Sequence, residues 1–381
     1  MSAVSPRPGQ PPAPDGRTSL QVLVDEAARQ LTICNACRYC EGLCAVFPAL
    51  ERRSLLDTGD VSQLSNLCHD CRACYDACMY TAPHEFELNV PKTLAAVRVA
   101  DYQRYLWPRR VPKVFRGWAG VAAGAAFSAA LVLSIAVTHG GWGRLTATTD
   151  RAESPYVFIP YPVLIGLMLA AAVFAVAVAG LAGRRYWVAV GGPGRHVGAG
   201  AVGRAVWYAA TLRYLRGGGV DCYYPEDDRP SGARRGLHAL VAYGFGLCIV
   251  STAAAAVLQD LAGQPPPYPW LSVPVISGTA GGIGLLTGCA GLLGLKARSS
   301  GVTSFAQMTV KDYGLLTALA FLALSGLATL LTRSTAAFGM VFLIHLSSVI
   351  LAFASAPYSK FMHVVFRFLA LVRDNAEIAG R

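Results

Sequence analysis

The chain has 381 residues, of which 54% are hydrophobic and 14% charged, against about 45–50% and about 25% in ordinary soluble domains. That balance excludes a typical cytosolic enzyme, and most of the apolar excess lies beyond residue 114. Up to Lys113 there are 13 Lys+Arg against 12 Asp+Glu, while the remainder carries 20 against 10; these cations sit beside long apolar runs, which argues against nucleic acid and for a role in membrane topology.

Residues 1–18 are rich in Pro and Gly and lack apolar periodicity, so they are expected to form a disordered tail. The first thirty residues hold no basic stretch followed by an apolar core. Without a signal peptide the N-terminal part is expected to stay in the reducing cytoplasm. There, clustered cysteines hold metal more often than disulfides. From Leu20 to Leu31 the apolar residues fall at helical spacing and lead into the first cysteine group.

Eight of the eleven cysteines lie between residues 34 and 78, in two runs of one spacing: Cys34-x2-Cys37-x2-Cys40-x3-Cys44 and Cys68-x2-Cys71-x2-Cys74-x3-Cys78. In two-cluster ferredoxins three cysteines of such a run close around one [4Fe–4S] cube and the fourth reaches the other. The expected sets are therefore crossed. Cys34, Cys37, Cys40 and Cys78 would hold one cluster, and Cys68, Cys71, Cys74 and Cys44 the other. Soft thiolates suit iron; a pair of zinc sites is the alternative, although tetrahedral zinc normally takes separated Cys-x2-Cys knuckles. Neither Cys44 nor Cys78 is followed directly by proline, which leaves the turn after each in question. His69 and His84 are expected to hydrogen-bond cysteine sulfur or backbone, and Arg38, Glu41, Arg72 and Asp76 to stand exposed around the clusters. Two neighbouring clusters relay single electrons and carry no bond-making chemistry of their own.

A second helix is expected from about Pro91 to Leu106, with the proline in the first turn, where its missing N–H costs nothing. Six apolar stretches follow at roughly 114–138, 157–181, 236–258, 271–295, 312–332 and 337–356. Each is near the about 20 residues needed to cross a hydrocarbon core, and Gly and Ala abound in them, as in closely packed membrane helices. With the head inside, twenty Lys and Arg fall on the inner side and three, Arg144, Arg151 and Arg333, on the outer. This positive-inside pattern also puts the C-terminus in the cytoplasm. The inner loop 183–235 is expected to hold an amphipathic helix over Val202 to Leu215, with Trp207 and Tyr214 at headgroup level. Its glycines follow no βα unit and suggest a linker, not a dinucleotide site. The expected fold is mainly α: a tail over 1–18, a small α-helical two-[4Fe–4S] ferredoxin-like head over 19–113, and a six-helix transmembrane bundle over 114–381.

Of the seven histidines, His238, His345 and His363 occupy or border these helices. Ionisable residues in a membrane are functional suspects, and paired imidazoles bind haem iron axially. His238 stands near the start of the third helix and His363 just past the sixth, both at the inner side, so the two can meet. His345 lies 18 residues before His363, about 27 Å along a continuous helix rising about 1.5 Å per residue. At its depth the third helix offers Cys248. A second bis-histidine haem is thus incomplete, and His345 remains a second-haem, quinone-site or packing candidate. Cys248 and Cys289 read as small buried apolar residues.

The stretches CNACRYCEGLC, CHDCRACYDACMYTAPHEFELNVPK, TLRYLRGGGVDCYYPEDDRPSGARRGLHALVAYGF and PYSKFMH resemble the tricarballylate/citrate utilisation protein B family, over nearly the whole chain from about residue 30. The resemblance implies two [4Fe–4S] clusters on the eight cysteines and b-type haem on the segments bearing His238 and His363. It also implies reoxidation of a partner FAD-dependent dehydrogenase and delivery of electrons to the quinone pool. The His345 to His363 interval resembles the last helix of nitrate-reductase gamma-type cytochromes b as well. The first ligand helix of that family bears two histidines ten apart, and Cys248 at the second place favours one haem over two. The expected protein is an electron-transfer subunit of the bacterial inner membrane. It would take electrons on the cytoplasmic side from a dehydrogenase of tricarballylate or a related tricarboxylate, and pass them through two clusters and haem b to quinone. The alternative is a transporter or sensor with a redox-sensing head, weakened by the few charges in the membrane helices and the lack of an evident inverted repeat.

Overall fold

The computed structural model describes residues 18–108, 111, 118–145, 154–194, 196–215, 222–224 and 227–380. The expected tail up to residue 17 lies outside the described residues, as do Arg109, Arg110, Lys113 and Arg116 of the inner cations. Thr18 caps α1 (Ser19–Cys37) reciprocally. Its hydroxyl accepts from the Gln21 N–H at 3.3 Å, and the Gln21 side chain accepts from the Thr18 N–H at 2.8 Å, an arrangement that stabilises a helix start by about 1 kcal/mol. The short α2 (Val46–Glu51) follows the first cysteine run, α3 (Thr58–Leu67) separates the runs, and α4 (Ala73–Asp76) lies inside the second. Asp57 caps α3 and Asn89 caps α5 (Val90–Arg104), which carries Pro91 in its first turn.

The membrane part begins with α6 (Trp118–Gly140), followed by the single turn α7 (Trp142–Leu145), the long α8 (Tyr161–Ala189) and α9 (Ala199–Ala210). A two-stranded antiparallel hairpin of β1 (Cys222–Tyr224) and β2 (Asp227–Ser231) leads to α10 (Ala233–Asp260), α11 (Val273–Arg298), α12 (Ala306–Leu331) and α13 (Phe338–Ser355). Six of these helices, α6, α8, α10, α11, α12 and α13, are long and apolar enough to cross a membrane. The closest packing is between α10 and α11, where glycines let backbones touch: a Cβ on Gly244 would meet the Leu285 nitrogen at 2.8 Å, and one on Gly281 the Gly244 carbonyl at 2.7 Å. Next, α11 packs on α12 and α12 on α13, while α13 also packs against α6 and α8.

Beyond α13 the chain turns back to the head. Two short 3-10 turns, Ala356–Tyr358 and Lys360–Met362, redirect it into α14 (His363–Ala379), so His345 and His363 do not share one continuous helix. This helix packs against α3, α8 and α9. Phe366 is fully buried, with its ring centre 5.5 Å from that of Tyr102, 4.9 Å from Tyr186 and 6.0 Å from Tyr105. One hydrophobic core therefore runs from Leu31, Phe47, Leu64 and Leu94 of the head into Tyr186 of α8 and Phe366 and Ala370 of α14. Each such large side chain contributes about 1.5–3 kcal/mol when fully buried. Around this core a charged network joins head and tail: Asp60 accepts from Arg53 at 2.9 Å and Arg373 at 2.6 Å, and Glu377 from both arginines at 2.9 Å. The inner-loop helix ends at Ala210, earlier than expected. Trp207 is exposed, whereas Tyr214 lies past the helix and packs against the head core.

Candidate functional site

Two cavities in the head are lined by cysteine. Cys34, Cys37, Cys40 and Cys78 line one with Tyr39 and Met79; Cys44, Cys68, Cys71 and Cys74 line the other with His69 and Arg72. Cys74, Phe47 and Val90 border both, so the cavities share a wall. Each run's fourth cysteine thus stands among the first three of the other run. The turn after it is the same in both cases: the Val46 N–H donates to Cys44 Sγ and the Tyr80 N–H to Cys78 Sγ, each at 3.4 Å. That turn closes without a proline directly after the cysteine. Left-handed backbone at Arg38 (φ 57), Asp70 (φ 59) and Arg72 (φ 70) bends the runs inward, a conformation uncommon outside glycine.

Burial, reinforced by neighbouring thiols, pushes Cys34 up to about 12 and Cys40 up to about 11. Burial likewise raises Cys44, Cys68 and Cys74. So many sulfurs become thiolates together only when positive metal compensates them. Among the described residues no three His, Cys, Asp or Glu side chains converge as one metal ion requires. The sulfurs instead surround open cavities, a donor set that fits a many-atom iron–sulfur cluster.

The two cavities differ in their surroundings. Beside the first, Cys37 is exposed, Tyr39 is 66% and Met79 63% exposed, and Arg38, Glu41 and Asp76 are exposed as expected. Arg72 departs from that expectation, because its guanidinium donates to the Ser299 and Ser304 hydroxyls, both at 3.1 Å, on the link between α11 and α12. The whole second loop is tied inward. Arg98 of α5 donates to the carbonyls of Ser65, at 3.3 Å, and Cys68. Arg234 at the start of α10 donates to the His69 carbonyl at 3.0 Å and to that of Asp70, and Arg367 of α14 donates to His69 Nδ1 at 3.2 Å. His84 makes a backbone contact, its Nδ1 accepting from the Phe86 N–H at 3.1 Å.

Below this loop His238 and His363 face each other, ring centres 6.4 Å apart and planes at 84°. With metal–nitrogen bonds of about 2 Å, two imidazoles on opposite sides of one iron have ring centres about 6 Å apart. The spacing is one at which both rings could hold a single metal. His363 Nδ1 lies 2.7 Å from the Lys360 carbonyl; since a carbonyl only accepts, Nδ1 carries the proton and Nε2 keeps its lone pair. Burial, with the Lys360 cation adding, pulls His363 down to about 4, which keeps the ring neutral and able to ligate. His238 Nδ1 is buried, with no hydrogen-bond partner among the described residues. The turn that presents His363 is held by Asp312, which pairs with both Lys296 and Lys360.

His345 is elsewhere. Its Nδ1 lies 3.0 Å from the Ser325 hydroxyl of α12, and its ring lies over Gly326. Cys248 does not face it: a Cβ on Gly281 of α11 would stand 2.9 Å from Cys248 Sγ, and Cys289 is fully buried.

A family model described as Citrate utilization protein B matches residues 119–381, and one described as Citrate utilization protein B Fer4-like domain matches residues 27–104. The chain is similar to an Escherichia coli protein named Citrate utilization protein B, 37% identical over 348 residues that make up 91% of each chain. The chain belongs to the citrate utilization protein B family. In this family member the Fer4-like match contains all eight clustered cysteines and closes with α5. The other match runs from α6 to the end, so α14, which completes the core of the head, falls in the membrane-part match. No solved structure matches the chain.

Arg98, Arg234 and Arg367 are the residues that reading the sequence missed as parts of the site. A signal for two of them was present, since Arg234 precedes His238 by four residues and Arg367 follows His363 by four. Only the position of the Cys68–Arg72 loop gives that spacing its meaning.

Proposed function

We propose that this member of the citrate utilization protein B family is a membrane-bound electron-transfer protein serving an FAD-dependent dehydrogenase of citrate, tricarballylate or a related tricarboxylate. The observation that carries the reading is the apposition of His238 and His363 beside the cysteine-lined cavities. Cys34, Cys37, Cys40 and Cys78 would hold one [4Fe–4S] cluster and Cys44, Cys68, Cys71 and Cys74 the other, and His238 and His363 would hold haem b. Bound there, these groups supply one-electron redox chemistry, which splits the two-electron oxidation of a flavin into single steps.

The chain's own residues orient and insulate. Asp312, through Lys360, fixes the turn presenting His363, and the Lys360 carbonyl fixes its tautomer. The continuous core keeps head and membrane helices in one register. In this reading the head and C-terminus are cytoplasmic in a bacterial inner membrane, the dehydrogenase docks on the head, and quinone in the bilayer is the acceptor. His345 with Ser325 is retained as the quinone-side candidate.

The deciding experiment is the reduced-minus-oxidised visible spectrum of the detergent-solubilised protein, together with iron and sulfide analysis. Expected are sharp haem b bands and two clusters per chain. A membrane part without haem bands would overturn the reading in favour of a transporter or sensor with a redox-sensing head.

A further inference from the structure

Arg234 and Arg367 each stand one helical turn from a paired histidine, four residues before His238 and four after His363. Each therefore shares a helix face with its histidine. Both reach the same residue of the head. Arg234 holds the backbone of His69 through its carbonyl at 3.0 Å, and Arg367 holds the ring through Nδ1 at 3.2 Å. A guanidinium has donors and no acceptor. Nδ1 of His69 must accept, and in the neutral ring the hydrogen is then on Nε2. Nε2 is buried, with no oxygen or nitrogen partner among the described residues. The ring lines one cavity together with Cys44, Cys68, Cys71 and Cys74.

We propose that Arg367 is a positioning residue that, by accepting no proton itself, fixes His69 in the tautomer whose otherwise unpartnered Nε2–H is kept for a sulfur of the cluster site lined by Cys44, Cys68, Cys71 and Cys74, and that this site is the one coupled to the His238–His363 pair. The inference rests on the functional reading above and adds an order to it. A hydrogen bond to a ligand sulfur stabilises the more negative, reduced state of a cluster and so raises its potential. The cations of Arg98, Arg234 and Arg367 act in the same sense. The Cys34 site has the opposite setting, bordered by exposed Cys37, Tyr39 and Met79, where a soluble donor can approach. Entry at the exposed site and exit at the clasped one form a downhill sequence toward the histidines.

The test is a redox titration of the intact solubilised protein followed by EPR, reading the midpoint of each cluster. Cys44→Ser identifies which signal belongs to the clasped site. His69→Leu and Arg367→Met are expected to lower that midpoint alone by a tenfold or greater change in the reduction equilibrium, about 59 mV for one electron. Arg367→Lys, which still offers a donor, is expected to recover most of the shift. Iron content is measured in every variant, and Arg367→Met carries the test if His69→Leu loses iron. Both midpoints unchanged, both moving together, or no recovery with lysine would overturn the inference. A wild-type protein that binds zinc instead of iron would overturn the functional reading, whereas unmoved midpoints in a two-cluster protein would overturn the inference alone.

Discussion

Gly326 sets the place of His345: a Cβ there would stand 3.0 Å from His345 Cε1, and the adjacent Ser325 hydroxyl lies 3.0 Å from its Nδ1. The ring is thus committed to α12, while His238 and His363 face each other. His238→Ala and His363→Ala are each expected to abolish haem binding, and His345→Ala to leave it within about twofold of the parent, a difference of about 0.4 kcal/mol. Haem per chain by the pyridine haemochrome method checks this. Two haems per chain, or haem lost in His345→Ala alone, would reverse the assignment.

Cys44 belongs by sequence to the first run and by position to the second cavity. Cys44→Ala is therefore expected to damage chiefly the cluster of Cys68, Cys71 and Cys74, removing about half the iron. Cys78→Ala should do the converse. Iron analysis with EPR of the reduced protein reads both, and full retention of two clusters in Cys44→Ala would contradict the crossed arrangement.

Gly288 of α11 lies against the residue before His238. A Cβ there would meet the Leu237 carbonyl at 2.7 Å and the Val241 nitrogen at 2.9 Å, backbone atoms that cannot rotate away. Overpacking of this kind costs about 1–3 kcal/mol. Gly288→Val is expected to push α10 outward and lower haem occupancy several-fold with cluster iron retained. Unchanged haem content would show that His238 tolerates the shift.

Asp101 is buried and accepts from the Ser62 hydroxyl and the Asn66 amide, both at 2.8 Å, yet burial pushes its carboxyl up to about 7. In an unfolded chain it titrates near about 3.9. Between about pH 4 and 7 the folded chain keeps a proton that the unfolded chain has lost, so stability falls as pH rises through that window and levels off above it. Three pK units correspond to about 4 kcal/mol. Asp101→Asn is expected to melt higher than the parent at pH 8 and close to it at pH 4. Equal melting temperatures at pH 8 would count against a buried charge there.

The head is nearly neutral, with 13 basic and 12 acidic residues up to Lys113. For the dehydrogenase proposed to dock there, long-range attraction should be weak, and rim contacts such as Arg38, Glu41 and Asp76 are screened beyond about 8–10 Å at physiological salt. Raising salt from about 50 to about 300 mM is expected to change flavin-to-cluster transfer by less than about tenfold, a barrier change of about 1.4 kcal/mol. Stopped-flow bleaching of cluster absorbance by the reduced partner measures it, and a steeper fall would reveal dominant steering.

The membrane helices and cysteine runs are legible in the sequence because their signals are local: hydropathy sustained over a helix length, and ligands at fixed short offsets. The C-terminal segment is not. Arg373, Asp374 and Glu377 look like a solvated tail until their partners Arg52, Arg53 and Asp60 are brought to them from some three hundred residues away. Arg72 misleads in the same way, since nothing near it in sequence announces Ser299 and Ser304. Periodicity reports which face of an element is buried, and remains silent on which distant element buries it.

Phe366 and Ala370 of α14 are fully buried in a core shared with Leu31, Phe47, Leu64 and Leu94 of the head and with Tyr186 of α8. The ribosome delivers these pieces in the reverse of the order in which the core needs them. The head emerges first, and its hydrophobic interior stays unsealed until all six membrane helices have been synthesised and the last helix folds back. Docking of α14 then closes the core of the head.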